Sequence, residues 1–245
     1  MNIIILAAGN EHSDLENKGY PLFLSELDGE LIIEKIARSC LSLMPQRIIF
    51  AMRADDVRIH HVDGILRLIA PSATIVQIAR ETKGAACTAL LTIDNLDLDD
   101  ELLILNATDL LDVNLSELLQ NFRLEGADAG TVIFDSLHPR YSFVRLEGSN
   151  LVVEAAEKNP ISRNATAGCY WYRKASDFVT ASEQMISKDV SVGGKYYVSL
   201  TLNEILLAGK SVVATRIEPA QYHPIKSPRQ LAMLEAVIEQ LRNLQ

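Results

Sequence analysis

Asp109 lies in "LILNATDLLD", just past a short apolar run that reads as a buried strand. A carboxylate there can hold Mg²⁺, which favours one or two carboxylates together with substrate phosphates. Asp is also a common turn or cap residue, and Asp112 and Asn114 compete for the capping role. A second pair, Glu157–Lys158, follows "VVEAA". A Glu at a strand end accepts hydrogen bonds from sugar hydroxyls, and a Lys beside it neutralises a phosphate. The plainer reading is two exposed charges at an edge. A third candidate is Gly9 after "LAA", where a glycine lets the chain turn sharply and approach phosphates. From composition alone a plain tight turn is the favoured reading. The histidines form no metal-binding spacing, and neither a G-x-S-x-G elbow nor a complete P-loop is present.

The elements that must position these residues come from hydrophobic periodicity. Ile3–Ala8, "RIIFAM" (47–52), "ATIVQIA" (73–79) and "ELLILN" (101–106) read as buried strands. Between them lie a helix in "GELIIEKIARSCLSL" with Asp28 as its N-cap, one from Asp55 to Ile69 with a weak spot at Gly64, and one over 84–93. Such alternation predicts a parallel sheet with helices on both faces, and ligands bind beyond the carboxyl ends of its strands. Those ends carry Ala7–Asn10, Ala79–Ala85 and Asn106–Asp109. After residue 126 the rhythm becomes strand-rich: "ADAGTVIFDS", "YSFVRLEG", "NLVVEAAE" and "AGCYWYRK" predict a mixed or antiparallel extension. Helices over 176–188 and 196–209 follow, then a strand over 211–217. A closing helix starts at Ser227-Pro228. The expectation is one α/β domain over 1–245, with halves 1–125 and 126–245.

Composition narrows the function. A net charge of -9 argues against a nucleic-acid surface, which needs a basic patch. No run approaches a membrane span, and no basic residue precedes the apolar run at the N-terminus as a leader would require. Cys40, Cys87 and Cys169 are too scattered for a metal knuckle or redox pair and read as small buried hydrophobes of a reducing compartment. The expectation is a complete, cytoplasmic chain with no nucleic-acid or membrane partner. Assembly into a homo-oligomer is left open.

In order along the chain, "NIIILAAG", "ETKGAACTALLTID", "ELLILNATDLLDVNLSELL", the segment from His138 to Val179, "KYYVSLTLNEILLAGK" and "SPRQL" resemble the sugar-phosphate nucleotidyltransferases. The resemblance is to the glucose-1-phosphate thymidylyltransferase type, in the branch encoded with surface-polysaccharide genes. It implies a Rossmann-like, mostly parallel mixed sheet, and an Mg²⁺-dependent reaction that joins an NTP to a small phosphorylated substrate and releases pyrophosphate. Ala7, Ala8 and Gly9 match the nucleotide loop, and Gly84 and Ala85 the segment near the base. Asp109 matches the Mg²⁺ ligand. Glu157, Lys158, Gly168 and Asn203 match the sugar-phosphate side, with Asp109 and Lys158 as the catalytic pair. The loop departs from the pattern: Ser13 stands where the family has Arg, Glu11 adds negative charge, and Tyr20 precedes Pro21-Leu22 where the family has Lys. The aspartate expected near "YHPIKSP" is also absent, and Lys18, His12 and Lys226 are the candidates to replace the missing loop cations. These departures imply an alternative, a relative that binds sugar nucleotides without turning them over.

Overall fold

A computed structural model describes residues 1–9 and 20–242. The first half runs β1 (Asn2–Ala7), β2 (Glu26–Leu27), β3 (Glu30–Leu31), α1 (Ile32–Leu41), β4 (Arg47–Arg53), α2 (Ala54–His60), α3 (Val62–Ile69), β5 (Thr74–Ile78), α4 (Ala85–Leu90), β6 (Leu102–Asn106), β7 (Asp109–Leu111) and α5 (Leu115–Leu124). The second runs β8 (Ala129–Asp135), β9 (Ser142–Glu147), β10 (Leu151–Glu157), β11 (Asn164–Tyr172), α6 (Ala175–Ser187), α7 (Val198–Leu207), β12 (Val212–Arg216), β13 (Tyr222–Pro224) and α8 (Pro228–Arg242).

One nine-stranded sheet takes the order β5-β4-β1-β6-β11-β8-β12-β10-β9. Strands β5, β4, β1 and β6 pair parallel, as the alternating pattern required. Beyond β6 the pairs are antiparallel except β8 with β12. The sheet is therefore mixed, with its parallel character concentrated in the first half rather than spread through most of it. A further bridge, Ala165 to Phe143, brings β9 back against β11 and curls the far end of the sheet.

The period of two along β1 divides the core. Ile3 and Ile5 join α1, α3 and α5 through Ile33, Leu66 and Leu119. Ile4 and Leu6 join α4, α6 and α7 through Ala89, Phe178 and Leu202. Both faces of the sheet are thus covered, which is why β1 reads as a continuous apolar run. Trp171, fully buried on β11, stacks on Phe122 of α5 with ring centroids 5.8 Å apart. Burying an aromatic of this size contributes about 1.5–3 kcal/mol. No helix of the described residues is long and apolar enough to cross a membrane.

Two local expectations are corrected. Asp28 does not cap α1; with Gly29 it forms the turn of the β2–β3 hairpin, at φ 60° and 77°. Asp-Gly at positive φ is the favoured two-residue hairpin turn, and this preference outweighs the capping tendency of Asp. The helical stretch 54–69 breaks at His61, which takes φ 51°, and not at Gly64. In contrast, Ser227 caps α8 as expected, its Oγ accepting from Gln230 N at 3.3 Å. Asn114 takes the cap of α5, accepting from Ser116 N and Glu117 N.

Candidate active site

A cleft of about 610 Å³ opens at the carboxyl ends of β1, β5 and β6. Ala7, Ala8 and Gly9 leave β1 along its wall, and Glu81 to Ala85 follow β5. Asn106 to Asp109 continue from β6, Glu157 and Lys158 from β10, and Gly168 from the middle of β11. The topology explains the gathering. Parallel neighbours end at the same edge, and the curl that brings β9 to β11 carries the β9–β10 pair to that edge as well.

Asp109 begins β7, whose antiparallel partner β13 places Pro224 opposite it. Its carboxylate is buried in the cleft wall and hydrogen-bonded at both oxygens. Asn106 Nδ2 donates to Oδ2 at 2.6 Å and the Tyr222 hydroxyl donates to Oδ1 at 3.2 Å. Lys226 Nζ lies 3.0 Å from Oδ1 and also donates to Thr108 Oγ1 at 2.9 Å. Burial, and next the negative charge of Asp109, hold the Tyr222 phenol well above its ordinary pKa, so it remains a donor. Room for the carboxylate comes from Gly168. β11 shifts register between Thr166 and Tyr170, and Gly168 takes φ +70° there.

This donor set does not fit a resident Mg²⁺ at Asp109. Magnesium needs near-octahedral oxygen ligands at about 2.0–2.1 Å. Here a single carboxylate has both oxygens engaged, one of them by an ammonium group. Among the described residues no group of three or more His, Cys, Asp or Glu could hold a metal ion.

The opposite part of the cleft is built on Glu157, which closes β10 facing Ser142 of β9. Its Oε2 accepts from the Ser142 hydroxyl and from Ser199 Oγ at 2.9 Å. Burial pushes its pKa up, while the two serines and the nearby Lys158 charge pull the other way. Lys158 turns off the strand at φ 54°, a left-handed conformation uncommon for a residue with a side chain. Such conformations cost about 1–3 kcal/mol and cluster at ligand sites. Its ammonium donates to Tyr197 OH at 3.0 Å, and that hydrogen bond raises its pKa. Its partner there is a hydroxyl, and Lys158 lines the cleft where an anion can reach it.

At the remaining wall, Gly84 precedes α4 at φ +112°. A Cβ there would lie 2.4 Å from the Tyr196 carbonyl oxygen. The close approach is used: Tyr196 N donates to Lys83 O at 2.7 Å, and Ala86 N to Tyr196 O at 3.1 Å. The segment Glu81–Ala85 is thereby tied to the strand-like approach to α7. Thr82 and Thr88 share a hydrogen bond at 2.7 Å beside it.

The candidates from sequence thus share one cleft, with one exception. Asn203 is not among the lining residues; its amide accepts from Ala155 N and donates to Ala155 O, both at 2.8 Å, fastening α7 to β10. Tyr20 is 59% exposed, donates to Leu24 O at 3.3 Å and meets the His60 ring edge-on. Glu11, His12, Ser13 and Lys18 lie outside the described residues. Sequence reasoning missed Ser142, Ser199, Tyr197, Tyr170 and Tyr222, all of which line the cleft. Strand pairing offered only part of a signal for Ser142: a regular hairpin with Glu147 opposite Leu151 would set it against Ala156, and the register shift between Val152 and Glu154 moves it to Glu157. Nothing in the sequence marks Ser199.

No family model matches the sequence, and no curated protein does. Solved structures do. The nucleoside-diphosphate-sugar pyrophosphorylase of Vibrio cholerae RC9 superposes with a TM-score of 0.79 at 19% identity, over 96% of this chain and all of the other. A UDP-glucose pyrophosphorylase complexed with UDP-glucose gives 0.78 at 13% identity, over 98% of both chains. A Bacillus anthracis protein described as a glucose-1-phosphate thymidylyltransferase, solved with sucrose, gives 0.73 at 16% identity, over 96% of this chain and 94% of the other. The chain has the fold of the sugar-nucleotide pyrophosphorylases and thymidylyltransferases.

Proposed function

We propose that the protein is a nucleotidyltransferase whose cleft brings an NTP and a sugar phosphate together. The observation that carries this reading is the meeting of two unlike walls. One, Ala7–Gly9 with Gly84 and Ala85, is glycine- and alanine-rich backbone beyond parallel strands, suited to a nucleotide. The other offers the Glu157 carboxylate to hydroxyl groups and the Lys158 ammonium to a phosphate. A fold neighbour that holds UDP-glucose supports a sugar nucleotide as the ligand class.

In the reaction, a phosphate oxygen of the sugar phosphate attacks the α-phosphorus of the NTP. The bond from that phosphorus to the α,β-bridging oxygen breaks, and pyrophosphate leaves with the electron pair. Catalysis of this kind is mostly positioning and charge stabilisation. Lys158 would hold the attacking phosphate, and Glu157 would fix the sugar through its hydroxyls. Magnesium enters as the ion an NTP carries on its phosphates, hence as part of the substrate. The branch of the family that the sequence resembles supports surface-polysaccharide precursors as the products.

The test is a pyrophosphate-release screen of the common NTPs against a panel of sugar 1-phosphates, with Lys158→Ala as control. Turnover with one pair, lost in the variant, is expected. A second reading, a sugar-nucleotide-binding protein without turnover, is favoured by Tyr20, which points to Leu24 and His60 and brings no cation to the cleft. Binding of a sugar nucleotide with no release from any pair would select that second reading.

A further inference from the structure

We infer that Lys226 serves in this cleft as a built-in cation, balancing Asp109 in place of a protein-bound divalent ion and presenting positive charge to a phosphate of the ligand. The inference rests on the cleft being a phosphate-binding site, as proposed above.

The position of the ammonium is fixed by backbone. Ile225 N donates to Thr108 O at 2.8 Å, extending the β7–β13 pairing by one step, and Lys226 N donates to Gln230 Oε1 at 2.8 Å. The side chain therefore rises beside Thr108 and Asp109, and Nζ lies between Thr108 Oγ1 and Asp109 Oδ1. Burial gives the pair a direction. Both residues line the cleft, but the Asp109 side chain is 4% exposed and that of Lys226 is 35% exposed, so the ammonium is the more accessible end of the pair. A divalent ion seeking Oδ1 would have to share it with a fixed positive charge, and Oδ2 is taken by the Asn106 amide. Lysine binds phosphate as a point charge and needs no metal to do so.

Two measurements test this. In the first, Mn²⁺ alone is titrated into wild type and Asp109→Asn and followed by electron paramagnetic resonance. Both proteins should leave millimolar Mn²⁺ free. A site in wild type that disappears in Asp109→Asn overturns the inference, whatever the result of the turnover screen. In the second, inorganic pyrophosphate is titrated by calorimetry in EDTA. Wild type should bind, and Lys226→Gln should bind at least about tenfold more weakly, as expected for loss of a charge-assisted bond in a cleft. Equal affinity in the two, or no binding to wild type, overturns it. The double variant Asp109→Asn/Lys226→Gln leaves no unbalanced buried charge and should show the same loss, so the test survives if the single variant does not fold. Failure of the nucleotidyltransferase reading would appear separately, as absent turnover with Mn²⁺ and pyrophosphate behaving as expected.

Discussion

A side chain at Gly168 would begin 2.5 Å from Oδ2 of Asp109 and 3.0 Å from Nδ2 of Asn106. The bulge in β11 and the buried carboxylate fit together only because residue 168 has no Cβ, and its positive φ suits glycine as well.

Gly168→Ala should therefore cost about 1–3 kcal/mol of stability through backbone strain and a displaced Asp109. Urea unfolding gives the first number. Calorimetry with pyrophosphate should show weakened binding in the same variant, because the Asp109–Lys226 pair moves with the carboxylate. Wild-type values in both measurements would remove Gly168 from the account of the site.

Lys158→Ala should weaken glucose 1-phosphate far more than a free NTP. Hydrogen bonds to charged groups contribute about 1.5–3 kcal/mol, so the expected loss is of the order of tenfold or more. Titration calorimetry of both ligands checks it. Equal losses would place Lys158 elsewhere than at the sugar phosphate.

Glu157 makes stability depend on pH in a defined direction. Its folded pKa is raised above the ordinary 4.5, chiefly by burial. The folded state thus binds this proton more tightly than the unfolded chain. The associated stability is complete below the unfolded value and is lost as pH rises through the folded one. Glu157→Gln carries no such proton, so its Tm relative to wild type should climb between pH 4 and pH 7. A flat difference would mean that Ser142 and Ser199 fully offset burial.

Asn203→Ala should lower stability by about 1–3 kcal/mol, because both polar groups of Ala155 lose their partner on α7. Affinity for sugar phosphates should stay close to wild type, since Asn203 does not line the cleft. A large affinity loss at unchanged stability would return Asn203 to the ligand.

Much of this was legible in the sequence where local pattern and tertiary structure agree. Apolar runs gave the four parallel strands, and the positions after them, Gly9, Gly84 and Asp109, share the cleft because parallel strands end together. Cys40 and Cys169 are buried as expected, while Cys87 on α4 is only partly so. The mixed character of the sheet was less legible, since apolar alternation is the same in parallel and antiparallel strands. Strands β7 and β13, three residues each, carry too little pattern to be found. Yet their pairing sets Lys226 against Asp109, so the contact on which the proposed role of Lys226 rests depends on two of the least visible elements. Asn203 was misplaced for a related reason: a polar residue on an apolar helix serves a ligand or a neighbouring strand equally well until the strand is seen.

The place of β11 has a consequence for how the protein is made. β6 is complete at Asn106, but its neighbour in the sheet is not β8 or any strand soon to follow; it is β11, ending at Tyr172. On the ribosome, the parallel block must wait with an unpaired edge while four further strands, β7 to β10, emerge before β11. Contacts so distant in sequence form slowly. The nascent chain therefore passes through a stage in which the nucleotide half is formed but unsealed, and a truncation anywhere before Tyr172 should yield an aggregating fragment rather than a smaller domain.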